Sequence, residues 1–316
     1  MNYSSSSPIL IANPCRVEKD PIKSQEDAQE KYDMVALDLD GTLLDSSHRI
    51  ATIQADYLRS LHQRGFTVCI ATGRAAPSVY EHVQALDLPD PIPMVCSNGA
   101  RGFTIDAKTL QKQELFYTPV PLDVVFKTLQ IAQQHDFAVQ YYHEDTIYVN
   151  SSLPHHSKIV QKYHELTGSP IQPVTDNFES LLGQNHLPSK LLVLFEESRL
   201  EEASQLYTSQ LSSQATVVMG AFDWFLEVLH PQVTKGHGLQ RMCQELAIPM
   251  EHCIAIGDGS NDLEFLQMAG LGLAMKNSKE IVKKHANATL EWSNDEHGVM
   301  NALRQLETQG QLRLTP

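Results

Sequence analysis

The sequence predicts an α/β protein: a doubly wound, Rossmann-like parallel-sheet core with an inserted α+β cap domain. Three observations carry that reading. Short apolar runs alternate with amphipathic helical segments over residues 33–102, and the alternation returns after Lys235. Between these parts the chain changes to short alternating strands with a few helices. The apolar runs of both flanking parts end in polar residues, at the strand ends where open α/β sheets bind ligands. The expected division is a flexible tail at 1–32, a first core half at 33–102, the α/β cap at 103–228 and a second core half at 229–316.

The elements follow in order. "MVALDLD" is a short apolar run with a polar end, the pattern of a buried parallel strand. In "ATIQADYLRSLHQR" (51–64), Ile53, Tyr57, Leu58 and Leu61 share a helical face, and Gly65 stops the helix. "FTVCIATG" (66–73) is a second strand, "SVYEHVQAL" a helix behind Pro77, and "PMVCSNGA" (93–100) a third strand closing in a turn. In the insert, helices are expected near 121–135 and 198–211. Strands are expected in "FAVQYYHEDTIYVN" (137–150, turning at Glu144-Asp145), "KLLVLF" (190–195) and "DWFLEVLH" (223–230). Tyr141 and Tyr142, adjacent on a strand, should face opposite sides. Then "GLQRMCQELA" reads as helix, "CIAIGD" (253–258) as strand, "DLEFLQMA" as a helix ended by Gly270, and "LGLAM" as strand.

Composition narrows the class. The 316 residues, 42% hydrophobic and 20% charged, suffice for two ordinary cores. The net charge of −14 argues against nucleic acid or an anionic membrane as the main partner, and would repel an anionic metabolite unless a metal or lysine offsets it locally. No 18-residue apolar run is present, so no membrane span is expected. Cys15, Cys69, Cys96, Cys243 and Cys253 are odd in number and form no C-x-x-C pair, which points to a reducing, cytoplasmic setting. The first 30 or so residues lack a basic region followed by an apolar core, so a flexible tail is expected there and no signal peptide.

Asp38, Asp40, Thr72, Asn98 and Asp258 all stand at strand ends and would converge on one crevice. Three of them are carboxylates, which at close range cannot all stay ionised without a cation. Oxygen donors beside a phosphate favour Mg²⁺. Taken singly, each piece has an ordinary explanation: a D-x-D caps turns, a strand-end Thr-Gly is a common turn, and Lys235 is a surface lysine by default. "GDGSND" (257–262) is more specific, with glycines around Asp258 and a second acid, Asp262, opening the next helix.

Order and spacing decide the matter. "DLDGTLLD", "IATGR", "TKG" and "GDGSNDLEFLQMAGLGLAM" resemble, in that order, the four motifs of the haloacid dehalogenase superfamily of phosphohydrolases. "CSNGA", "LEV" and "NDEHGV" (294–299) are similar to its Cof-type subfamily, in which an α/β cap separates the second and third motifs. The resemblance spans about residues 33–308. It implies Asp38 as nucleophile, forming an aspartyl-phosphate, and Asp40 as general acid and then base. It implies Mg²⁺ on Asp38, Asp258 and the backbone carbonyl of Asp40, with Asp262 in the outer shell. Thr72, with Gly73, and Lys235 would hold the phosphoryl oxygens, with Asn261 close by; Asn98 and Arg74 have family-like positions. The implied substrate is a small phosphorylated metabolite, a sugar phosphate first, then phosphorylated cofactors. A phosphomutase, a sucrose-phosphatase-like enzyme and a non-catalytic regulatory relative are the alternatives; the state is monomer or homodimer.

One departure stands out. Where the family often shows "GNA", this chain has "AMKNSKE", so Lys276 replaces a glycine and either assists an anionic substrate or is solvated. His143, His155 and His156 lack H-x-x-x-H spacing, and exposed or structural roles are expected for them. Trp224, beside Asp223, either lines the cap's substrate face or packs between cap and core.

Overall fold

The computed structural model describes residues 11–12, 31–167, 170–219 and 223–315. Nearly all of the tail expected at 1–32 lies outside the described residues.

The first sheet begins with β1 (Ile11–Ala12), β2 (Met34–Leu37), β3 (Thr67–Ala71), β4 (Ile92–Cys96), β5 (Arg101–Ile105) and β6 (Lys112–Tyr117). A second sheet follows with β7 (Ala138–His143), β8 (Thr146–Asn150), β9 (Ile171–Val174), β10 (Lys190–Leu194), β11 (Thr216–Met219) and β12 (Phe225–Leu229). The chain then returns to the first sheet with β13 (Cys253–Gly257), β14 (Leu271–Ala274) and β15 (Ala288–Thr289). Among the described residues the first sheet has the order β1-β15-β14-β13-β2-β3-β4-β5-β6 and the second β11-β12-β10-β7-β8-β9. From β15 to β4 neighbouring strands pair in parallel, whereas β1, β5 and β6 are antiparallel additions.

Ten α-helices accompany these strands among the described residues: α1 (Thr52–Gln63), α2 (Tyr80–Leu86), α3 (Leu122–His135), α4 (Ser157–Thr167), α5 (Glu179–Gly183), α6 (Leu200–Leu211), α7 (Lys235–Glu245), α8 (Leu263–Met268), α9 (Glu280–His285) and α10 (Gly298–Thr308). Successive residues of β2 feed opposite cores. Val35 and Leu37 pack with Leu58, Val83 and Leu303 from α1, α2 and α10, while Met34 and Ala36 pack with Leu239, Phe265 and Val282 from α7, α8 and α9. A strand covered on both faces must be apolar throughout, which explains "MVAL". In the second sheet, Tyr141 joins Leu191, Val193 and Val228 under α3 and α6, and Tyr142 faces the other way with Leu192, Leu194 and Trp224. Ala75, from the loop after β3, packs into that second cluster, so this face of the cap-like sheet looks onto the core.

Two sequence expectations change. The segment 101–117, most of it expected in the insert, forms β5 and β6 and extends the first sheet. A tight turn with positive φ at Ser97, Asn98 and Gly99 reverses the chain, so β5 returns antiparallel beside β4 and needs no crossover. Gly99 has φ +103, and a Cβ there would run into the Thr234 carbonyl, so two motif loops touch at this glycine. On α1 the buried side is Gln54, Ala55, Leu58 and Leu61, while Ile53 is exposed. Gln54 takes the inward place because its amide bonds the Leu43 carbonyl (3.1 Å) and accepts from the Met300 N–H (3.3 Å). The described cysteines Cys69, Cys96, Cys243 and Cys253 are buried and free. No helix among the described residues is long and apolar enough to cross a membrane.

Candidate active site

Sheet order makes the site. β2 connects outward to β3 on one side, and the returning chain places β13 on its other side, so the connections diverge between β2 and β13. At such a switch point the loops after two adjacent strands part and leave a crevice. Asp38 follows β2, Asp258 follows β13 and Thr72 follows β3, which brings residues far apart in sequence to one edge.

Asp38 is 6% exposed and its N–H donates to the Ile256 carbonyl (3.0 Å), tying it to the neighbouring strand. Lys235, the first residue of α7, is buried, and its Nζ donates to Asp38 Oδ1 (2.5 Å) and Asp262 Oδ1 (2.7 Å). Asp262 Oδ2 accepts from the N–H groups of Asp258 (3.0 Å) and Gly259 (2.8 Å), so its carboxylate braces both Lys235 and the loop after β13. Thr42 Oγ1 donates to Asp258 Oδ1 (3.1 Å). Gly41 turns the chain at φ +74, and a Cβ there would strike the Asp258 carboxylate. Only glycine admits this approach without strain.

Carboxylate oxygens of Asp38, Asp258 and Asp262 lie within 4.8 Å of one another. Burial pushes the Asp38 carboxyl well above the usual range; the Lys235 charge opposes this, and the charges of Asp262 and Asp258 add to it. Asp258 is pushed up to about 6, first by burial and then by Asp262. Burial would lower the Lys235 ammonium, but Asp262 and Asp38 outweigh it and hold the proton on. One ammonium among three carboxylates leaves the cluster short of positive charge. Its donors are hard oxygens, so the cluster fits a divalent cation of the Mg²⁺ type.

Asp40 points elsewhere. Arg74 grips it with two bonds, Nε to Oδ2 (2.8 Å) and Nη2 to Oδ1 (2.6 Å). Burial would raise the Asp40 carboxyl, but these bonds and the Arg74 charge outweigh it and keep the carboxyl below its ordinary value. Arg74 is itself fixed by the Ser78 carbonyl (3.1 Å) and His82 Nε2 (3.1 Å). Thr72 is buried, and its Oγ1 accepts from the Arg74 N–H (3.1 Å). Asn98, at φ +54, accepts from Asn261 Nδ2 (2.9 Å) and donates from Nδ2 to Glu227 Oε2 (2.7 Å). Asp38, Thr72, Lys235, Asp258, Asp262, Asn98 and Asn261 thus form one neighbourhood, with Asp40 and Arg74 paired at its rim.

The structure adds residues to this set. Lys190 on β10 is buried, with its Nζ on Glu227 Oε1 (2.5 Å) and on the Gly73 carbonyl (3.0 Å). Gln140, Leu192 and Glu227 lie side by side across β7, β10 and β12, and the buried Gln140 Nε2 has no hydrogen-bond partner among the described residues. The available signal was a Lys and a Glu inside the apolar strands "KLLVLF" and "FLEVL". Asn277 Nδ2 donates to the Gly41 carbonyl (2.7 Å) and Asn294 Nδ2 to that of Leu44 (2.9 Å), so "NDEHGV" helps clamp the loop after β2. Lys276 is half exposed and paired with Glu296 (3.0 Å), a solvated surface pair. Trp224 is buried beside Tyr163 and Phe225, which is a packing role.

Residues 35–303 match a family described as haloacid dehalogenase-like hydrolase. A phosphatase of Bacillus subtilis, YitU, described as acting on 5-amino-6-(5-phospho-D-ribitylamino)uracil, is 30% identical over 281 residues, covering 86% of this chain and 96% of YitU. The chloroplastic endoribonuclease YBEY of Arabidopsis thaliana is 27% identical over 277 residues; the match covers 86% of this chain but spans only 46% of that protein. A solved haloacid dehalogenase-like hydrolase from Bacteroides thetaiotaomicron superposes with a TM-score of 0.73 at 27% identity, covering 87% of this chain and all of that one.

Proposed function

The chain belongs to the haloacid dehalogenase-like hydrolases and is a phosphatase, and on that premise we propose that it hydrolyses a small sugar or sugar-alcohol phosphate, with Mg²⁺ in the carboxylate cluster, through an aspartyl-phosphate on Asp38. The observation that carries this reading is the convergence of Asp38, Lys235, Asp258 and Asp262 at the switch point of the sheet.

When bound, Mg²⁺ would neutralise the repulsion between carboxylate nucleophile and phosphate, held by Asp38, Asp258 and the Asp40 carbonyl with Asp262 behind them. In the first half-reaction an Asp38 oxygen attacks phosphorus, the bond to the leaving oxygen breaks, and Asp40 delivers a proton to that oxygen. Lys235 fixes the other Asp38 oxygen and, with Thr72 and the Gly73 loop, offers positive charge and hydrogen bonds to the phosphoryl oxygens. In the second half-reaction water attacks phosphorus, Asp40 takes its proton, and the acyl-phosphate bond breaks to restore Asp38. The Arg74 pair suits Asp40 to the base step; for the acid step the pair must loosen as substrate enters. The core-facing Gln140, Lys190 and Glu227 would read the sugar hydroxyls. The phospho-ribityl compound named for YitU supports that substrate class.

The test is free-phosphate release from p-nitrophenyl phosphate and a panel of sugar and polyol phosphates, with and without Mg²⁺. Asp38→Asn should lower turnover by at least roughly a thousandfold. A variant at full rate would refute the nucleophile. Phosphoryl transfer between sugar hydroxyls without free phosphate would make the protein a mutase.

A further inference from the structure

Away from this site, the cap-like domain gathers a second set of ligand-type side chains. Asp136 sits just past the C-terminus of α3 with φ +54, its N–H bonded to the Ala132 carbonyl, so its carboxylate stands on a fixed helix end. His155 and His156 follow Pro154 in a single helical turn, in which the His156 N–H bonds the Leu153 carbonyl (3.0 Å). Both imidazoles aim Nε2 at the same oxygen: Asp136 Oδ1 is 2.7 Å from His155 and 3.0 Å from His156. Their ring centroids are 4.2 Å apart, and all three ligand atoms lie within 4.8 Å of one another.

A hydrogen-bonded clamp of this kind has little to offer energetically. Asp136 and His155 are more than half exposed, and exposed polar pairs contribute only about 0–1 kcal/mol. Two adjacent histidines that bring the same ring nitrogen to one carboxylate oxygen also gather three ligand-type atoms closely enough for one metal ion to replace the hydrogen bonds between them. Tetrahedral Zn²⁺ with bonds of about 2.0–2.1 Å needs ligand atoms about 3.4 Å apart, so His155 and His156 would draw back from Asp136 Oδ1 by about 0.7 and about 0.4 Å. Each neutral ring then carries its proton on Nδ1 and gives the Nε2 lone pair to the metal. The exposed side leaves the fourth position to water.

We infer that Asp136, His155 and His156 form a binding site for a transition-metal ion of the Zn²⁺ class, separate from the carboxylate cluster of the core. The two sites differ in chemistry: imidazole nitrogen selects Zn²⁺, Co²⁺ or Ni²⁺, and three carboxylates select a hard ion. The ion would join the end of α3 to the start of α4. That helix carries Tyr163, which packs on Trp224 and Phe225 on the core-facing side of the second sheet. The bound metal would therefore fix the helix lying over this face.

The experiment uses the full chain, stripped with chelator and then saturated with Mg²⁺ so that the core cluster is occupied. Zn²⁺ titrated by calorimetry should show one site, and Co²⁺ should give the visible absorption of a low-symmetry nitrogen–oxygen site. Asp136→Asn and His155→Gln, both at exposed positions, should weaken Zn²⁺ by roughly tenfold or more and abolish the Co²⁺ band, with phosphatase turnover unchanged. His156→Gln should do the same. Equal Zn²⁺ affinity in the wild type and the two exposed variants, or no Zn²⁺ binding beside saturating Mg²⁺, would overturn the site.

Discussion

Asp38 shares its buried surroundings with two more carboxylates and a single ammonium, and that imbalance has a measurable consequence. Because Asp258 is pushed up to about 6, the metal-free folded protein keeps a proton there at pH values where an ordinary carboxylate has lost it. Its folded value lies above its unfolded one, so stability from this group is present below the ordinary range and lost as pH rises toward about 6. A cation must displace that proton. At about pH 5 its apparent affinity should be about tenfold weaker than when the group is fully ionised. The melting-temperature gain from Mg²⁺ should therefore be larger at about pH 7 than at about pH 5, as scanning calorimetry would show. Equal gains would mean that Asp258 does not meet the ion. At this scale the core residues were legible because the four motifs are each short and contiguous. The set of Asp136 with His155 and His156 was not, because the carboxylate lies 19 and 20 residues from the two histidines and no local spacing announces it.

Among the elements, β10 and β12 carry the contact between the second sheet and the site. Lys190 and Glu227 are both buried, and burial alone would lower the Lys190 ammonium, but the Glu227 charge outweighs it and keeps it above its ordinary value. Removing one partner strands a charge, so Glu227→Leu should cost about 3–5 kcal/mol in chemical unfolding. Adding Lys190→Met should recover most of that loss. The double variant should still cleave p-nitrophenyl phosphate, yet show a raised KM for the best sugar phosphate of the panel, because two of the three polar side chains proposed to read the substrate are gone. Full recovery of KM would remove these residues from substrate recognition. The strands themselves were predictable, since "KLLVLF" and "DWFLEVLH" are apolar enough to be buried. What the charged residues inside them do was not, because it depends on Gly73 and Asn98 of the other sheet. The elements α4, β9, α5 and β11 escaped notice because they are short or built largely of polar residues.

For the molecule as a whole, the parallel core was readable because each buried strand is an unbroken apolar run, whereas the approach of the second sheet to it is fixed by scattered polar contacts. Asp145, at the turn between β7 and β8, accepts from Tyr80 Oη (2.7 Å) and Arg101 Nη1 (3.1 Å) and pairs with Lys112. Burial would raise its carboxyl, but the bonds from Lys112 and Tyr80 outweigh it and hold it low. These groups are partly exposed, so Asp145→Ala should cost only about 1 kcal/mol. It should nevertheless speed hydrogen exchange in the crossings near residues 118–121 and 230–234 and lower kcat/KM more than kcat. An unchanged exchange pattern would show that the turn does not help to hold the two sheets together.

The place of β2 between β3 and β13 also bears on how the chain is made. On a ribosome adding roughly 5–20 residues per second, the partner strand beginning at Cys253 emerges roughly 10–40 s after Leu37. A half-sheet formed in that interval would carry a bare apolar edge along β2, and Asp38 would lack the lysine 197 positions downstream. Asp38 and Asp40, just past the end of β2, would place charge beside that edge and oppose its pairing with another copy of the chain.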